Sequence, residues 1–151
     1  MKKYFWWILS VGLLTALSGF LYSWFKPHRN VGTASAQLEL TTDELTQRFL
    51  TDPEAANNYF LSADGNSSIL IVRGPIHKLL VNSKGESVVY LKSDTAKTGV
   101  NMVFTGSDSS IIKTLRLGQT IRIKGAIVAG SRYDADLDFY EPATLVECSL
   151  E

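Results

Sequence analysis

From Ile69 to Leu150 apolar and polar residues largely alternate with a period of two. Between Leu40 and Phe60 the apolar residues sit at helical spacing, and from Tyr4 to Phe25 the chain carries no charge at all. A period of two lines one face of a strand, helical spacing lines one face of a helix, and a long uncharged run suits lipid. The pivot is Ile69–Val81, ILIVRGPIHKLLV, apolar on both faces for four residues and then interrupted by Gly74-Pro75. That pattern predicts a long strand that bends midway and serves two sheets, with Leu70, Val72 and Ile76 inward.

Asn82-Ser83-Lys84-Gly85 turns this strand back into a second, Ser87 to Lys92, with Val89 and Leu91 alternating against Val88, Tyr90 and Lys92. A third, Val100 to Thr105, points Val100, Met102 and Phe104 inward. Asp108 then caps a helix bearing Ile111, Ile112 and Leu115, stopped by Gly118. The fourth strand, Gln119 to Val128, sets Ile121, Ile123 and Ile127 against Arg122 and Lys124, with a bend at Gly125. An acidic loop follows, and Ala143 to Leu150 makes a fifth strand.

Upstream, Thr41 caps a helix with Glu44 reaching back three residues and Leu40 packing on Leu45, and Asp52-Pro53-Glu54 starts a second helix that ends near Phe60. The fold class is mainly β with short helices: a five-stranded OB-type barrel behind a helical extension, in residues 41–151. An open sheet with a helix on one face is the competing layout. Residues 31–40, beginning VGTASAQ, form a short tether.

Residues 1–30 read as a single-pass transmembrane anchor. The run of 22 uncharged residues is long enough for a bilayer core of about 30 Å, whereas a cleaved leader needs about 7 to 15 apolar residues. Tyr4, Phe5, Trp6 and Trp7 mark one interface, Tyr22, Trp24 and Phe25 the other. Cleavage after Ala34-Ser35-Ala36 is the rival, but that site lies well beyond the apolar run with charges between. Lys2 and Lys3 favour an inside N-terminus over Lys26 and Arg29, which puts the barrel outside the cytoplasm.

Charge is unevenly divided. Of fifteen basic residues four flank the anchor, while all fifteen acids lie from Glu39 onward, so the segment from Gln37 has a net charge of −4. A mildly acidic domain is a poor general phosphate binder, whose affinity comes from Lys and Arg displacing counterions. Cys148 is the single cysteine, which excludes an intrachain disulfide and a cysteine-built metal site.

Several segments in order, Lys26-Pro27-His28-Arg29, Asp43-Glu44-Leu45, Val72-Arg73-Gly74-Pro75-Ile76, Val100–Phe104, Gly118–Gly125 and Val146–Leu150, resemble the tRNA_anti-like OB-fold family of bacterial envelope proteins. The resemblance covers nearly the whole chain. It implies an OB fold and a membrane tether, by lipid or helix, and no established activity. Many members carry cysteines in the third and fourth strands, where this chain has Met102 and Ile127, so a redox role has no partners here and Cys148 reads as a small buried apolar residue.

An OB barrel binds ligands on the outer face of its second and third strands and in adjoining loops. The candidate residues there are Tyr90, Lys92, Asn101, Val103 and Lys84, with Arg132 and Tyr133 from the later loop. Single-strand binding calls for several exposed aromatics over a basic groove, and the pattern shows one clear aromatic, Tyr90, with few bases. Asp134, Asp136 and Asp138 alternate like the opening of a calcium loop, but Phe139 stands where such a loop needs glycine. His77 and Cys148 are the residues available for a cysteine and histidine pair, with no third group to activate them. The expected protein is therefore a membrane-anchored binding or scaffolding module of the bacterial envelope, without cofactor or catalysis. Its expected partner is an envelope protein or glycan, with single-stranded nucleic acid as the alternative.

Overall fold

The computed structural model describes residues 31, 33–63, 65–105 and 113–151 of the 151-residue chain. The expected membrane helix within residues 1–30, and the helix start at Asp108 with Ile111 and Ile112, lie outside the described residues. Among the described residues no helix is long and apolar enough to cross a membrane.

The order is β1 (Leu38–Thr41), α1 (Thr42–Thr51), α2 (Pro53–Phe60), β2 (Ile69–Val81), β3 (Ser87–Leu91), β4 (Val100–Phe104), β5 (Thr120–Ala129), β6 (Arg132–Asp134), β7 (Phe139–Glu141) and β8 (Ala143–Leu150). β2, β3, β4, β8 and β5 pair in that order, and β5 pairs again with β2, so the sheet closes into a five-stranded barrel. The β4 and β8 pair is parallel, Val100↔Ala143 to Met102↔Leu145, and the other four contacts are antiparallel. This is the OB arrangement, and the open-sheet layout is excluded by the β2 and β5 pairing.

Closure rests on β2. Ile69 to Pro75 face β5 in register Ile69↔Ala126 to Pro75↔Thr120, and Ile76 to Val81 face β3. The change of partner falls at Gly74-Pro75, with an irregularity in the β3 register between Ile76 and Lys78. A bulge adds twist and bend where one strand turns a barrel corner. Proline donates no hydrogen bond, yet Pro75 still accepts one from Lys92 N at 3.1 Å.

Inside the barrel Leu70, Val72, Ile76, Val89, Leu91, Met102, Phe104, Ile123 and Leu145 form one buried cluster. Leu45, Phe49, Ala56 and Phe60 from the two helices belong to the same cluster, so the helices are part of the core. Phe49 and Phe60 lie 5.5 Å apart, ring centre to ring centre. The start of α1 is doubly capped: Thr41 Oγ1 accepts from Glu44 N at 3.2 Å, and Thr41 N donates to Glu44 Oε2 at 2.7 Å. Asp52 Oδ1 accepts from Ala55 N at 3.0 Å and caps α2, with Pro53 in its first turn.

Two elements go beyond the pattern. β1 runs parallel to β2, Leu38↔Leu70 to Thr41↔Arg73, and begins inside the stretch read as tether. The acidic loop is a small antiparallel hairpin, β6 with β7.

α1 is seated on the barrel at the same corner that closes it. A Cβ at Gly74 would stand 1.9 Å from Thr42 Oγ1, and Thr42 is buried with its hydroxyl donating to Arg73 O at 3.2 Å. Gly74→Ala is expected to cost about 1 to 3 kcal/mol in urea unfolding. The added cost of Gly74→Ala should be smaller in a Thr42→Ala background, because the clashing oxygen is gone. Equal costs in both backgrounds would show that the contact is not what excludes a side chain there.

Candidate ligand groove

The register sets one row of side chains across three strands. Lys78 lies opposite Tyr90, and Tyr90 lies opposite Asn101. Paired residues point to the same face of a sheet, and this row faces outward because its neighbours Leu91, Val100 and Met102 face the core. His77, at the β2 irregularity, sets its ring edge-on to Tyr90 with centroids 5.9 Å apart.

The β6–β7 hairpin completes a groove of about 480 Å³ with this row. Asp138, Phe139, Tyr140 and Pro142 line it from the hairpin side, and Lys78, Tyr90, Lys92, Lys97 and Asn101 from the strands and the β3–β4 loop. Thr98 Oγ1 donates to Tyr140 O at 3.3 Å, and Ala143 N donates to buried Ser131 Oγ at 3.0 Å, which tie down the hairpin's base. Within the hairpin Arg132 holds Glu141 through two guanidinium nitrogens, and the Tyr133 and Tyr140 rings lie 4.7 Å apart. Lys97 Nζ stands 5.3 Å from the centre of the Tyr140 ring, within cation–π reach.

The groove is basic although the domain is acidic. Lys78, Lys92 and Lys97 line it against one carboxylate, Asp138. The ion pairs among the described residues are Arg122 with Glu39, Lys124 with Glu151 and Arg132 with Glu141, and none engages a groove lysine. Lysines left unpaired beside aromatic faces suit an anion carrying planar rings.

Three of the seven residues expected on this face, Tyr90, Lys92 and Asn101, line the groove together. Val103 lies one row away opposite Val88, Lys84 is exposed in the β2–β3 turn, and Arg132 is spent on Glu141. Tyr133 is not among the lining residues but lies beside Tyr140 on the hairpin, its hydroxyl donating to Asp138 Oδ1 at 2.6 Å, and that bond holds its phenol above the ordinary value. The pattern did not place the other lining residues on this face: His77, Leu80, Asp138 and Pro142, and with them Lys78, Lys97, Phe139 and Tyr140. What the sequence offered for the last two was only a pair of short aromatic-bearing triplets, RYD and FYE, on either side of ADLD, which form a hairpin rather than a loop.

The three aspartates do not converge on a cation. Asp134 Oδ1 accepts from Asp136 N at 2.9 Å and Leu137 N at 3.2 Å, closing the turn, and Asp138 is turned to Tyr133. Among the described residues no three His, Cys, Asp or Glu side chains are placed to hold a metal. His77 and Cys148 do not meet: His77 is exposed on the outer face, and Cys148 is inside the core cluster. Burial pushes the Cys148 thiol far up. A larger hollow, about 600 Å³, lies between α1 and α2, but its acids Glu44 and Asp52 are already committed to helix caps. The groove over the strands is the better site because it gathers three lysines, none in an ion pair, beside Tyr90, Phe139 and Tyr140.

The profile of the tRNA_anti-like family matches residues 1–136. No curated protein matches the chain. Among solved structures it is similar to a "putative nucleic acid-binding lipoprotein" of Klebsiella pneumoniae, at 17% identity and a TM-score of 0.51, over 75% of this chain and 92% of that one. At that identity the likeness shows the fold.

The buried thiol leads to a simple check. Cys148 should resist a thiol reagent at pH 8 in the native protein and react fully in denaturant, since the thiolate is the reacting form. Rapid labelling of the folded protein would mean that the thiol is neither enclosed nor raised.

Proposed function

The chain belongs to the tRNA_anti-like family, and from that membership together with its groove we propose a binding module that takes an extended polyanion with planar rings, single-stranded nucleic acid fitting best. The observation that carries this is one groove lined by Lys78, Lys92 and Lys97, none of them in an ion pair, together with Tyr90, Phe139 and Tyr140. Phosphates would lie along the lysines and bases against the rings, the division of labour found in single-strand binders. The shortage of bases and aromatics along the strands is made good by the hairpin and the β3–β4 loop, which bring in Tyr140, Phe139 and Lys97. The description of the Klebsiella structure as nucleic acid-binding supports the same ligand class. We also propose that residues 1–30 tether the barrel to the bacterial membrane, with the barrel on the extracytoplasmic side and residues 31–37 as spacer. The uncharged run and its aromatic ends support this, and a lipoprotein neighbour agrees with an envelope address. Among the described residues that line the groove, no serine or cysteine accompanies His77.

Binding of the full-length chain, in detergent micelles, to a fluorescent single-stranded oligonucleotide should weaken steeply with salt. Tyr90→Ala should lower affinity roughly tenfold, the scale of one stacked base. Lys92→Ala and Lys97→Ala should each reduce the logarithmic salt slope by about 0.7. Retention of an acidic glycan in place of the oligonucleotide, with the same lysine dependence, would move the ligand class and keep the groove. No binding of either at low salt would remove the proposal. For the tether, the chain is expected to stay with membranes through an alkaline wash, and recovery as soluble material starting near Gln37 would defeat it.

A further inference from the structure

Resting on the nucleic-acid reading of the groove, we infer that Asp138 is its specificity-determining residue, accepting a hydrogen bond from a base N–H and so preferring bases that present an amino group. A carboxylate in a groove of lysines would ordinarily serve to neutralise one of them. Asp138 does not: it lines the groove with Lys78, Lys92 and Lys97, and no ion pair joins it to any of them.

It is instead held in place from within the hairpin. Oδ1 accepts from the Tyr133 hydroxyl at 2.6 Å, and the Tyr133 ring is in turn fixed beside Tyr140. The backbone at Asp138 has φ +48°, a left-handed conformation that an L residue adopts at a cost and that the bonds of the turn sustain. One bond to Oδ1 leaves Oδ2 and a second lone pair of Oδ1 free to accept from a ligand. Phe139 and Tyr140 line the groove immediately after it in the chain. A base stacked there would bring its edge towards Asp138.

A carboxylate repels phosphate oxygens and carbonyl-bearing edges, and it rewards a donor. An amino group such as cytosine N4 is the natural match for an acidic side chain. The same residue therefore lowers affinity for a bare polyanion and raises it for an amino-bearing strand, and the two effects have opposite signs.

The test compares two oligonucleotides of equal length against the full-length protein. One is oligo-dC, and the other is an oligo-dT methylated at N3, which keeps rings and phosphates but has no base N–H. Asp138→Gly is the informative variant, because glycine accepts the positive φ and the turn is retained while the carboxylate is lost. The wild type is expected to prefer oligo-dC by about tenfold, the worth of one hydrogen bond to a charged acceptor. Asp138→Gly should abolish that preference, weakening oligo-dC while leaving the methylated strand unchanged or tighter. Tyr133→Phe, which keeps the ring and removes the hydroxyl, should lower the preference in part. Equal binding of both strands by the wild type, or equal tightening of both by Asp138→Gly, would overturn the role of Asp138 while sparing the groove as a nucleic-acid site. Binding of neither strand at low salt would overturn both.

Discussion

A strand that must pair with two neighbours running in different directions cannot be straight, and β2 is in that position. Its first half hydrogen-bonds to β5 and its second half to β3, and the barrel has no edge at this seam because both sets of bonds are made. Gly74 supplies the close approach to Thr42, Pro75 the fixed backbone at the turn, and the irregularity at His77 the extra twist. The core, the position of α1 and the outward row of Lys78, Tyr90 and Asn101 all follow from where this bend falls. One residue of slip would turn Tyr90 into the core and Leu91 out of it.

The hairpin β6–β7 is the second determinant of the site, and it acts through rigidity. Its Arg132 and Glu141 pair is solvent-exposed and contributes little to stability on that account. Its value lies in geometry, since the pair and the tyrosine contact fix which faces of Tyr140 and Asp138 meet the groove. The chain as a whole is balanced in charge and the domain from Gln37 is acidic, yet the groove collects lysines on one side of the barrel. A ligand approaching from solution responds to that local field more than to the net charge.

Much of the barrel could be read from the linear pattern. Leu70, Val72 and Ile76, Val100, Met102 and Phe104, and Ile121, Ile123 and Ile127 recur at even spacing because that face of each strand points into the barrel, and all nine are buried. The cap at Thr41 and the bend at Gly74-Pro75 were equally plain, being local chemistry written in neighbouring residues. β1 was not, because four residues of LELT have no identity as a strand until Leu70 to Arg73 lie beside them. The hairpin was missed for a related reason: three residues a side are too few for a period to declare itself, and the acidic turn between them resembled a cation loop.

Residue order alone thus determined the alternation along β2, β4 and β5, the bends at Gly74-Pro75 and Gly125 and the inward faces of those three strands, since these depend on side chains within a few positions of one another. The tertiary structure decided which outward residues become neighbours. Lys78, Lys97 and the hairpin pair Asp138 and Tyr140 come from three separate stretches, and their meeting depends on closure and register between distant strands. Those are properties of pairing across the sheet, and no window of sequence contains them.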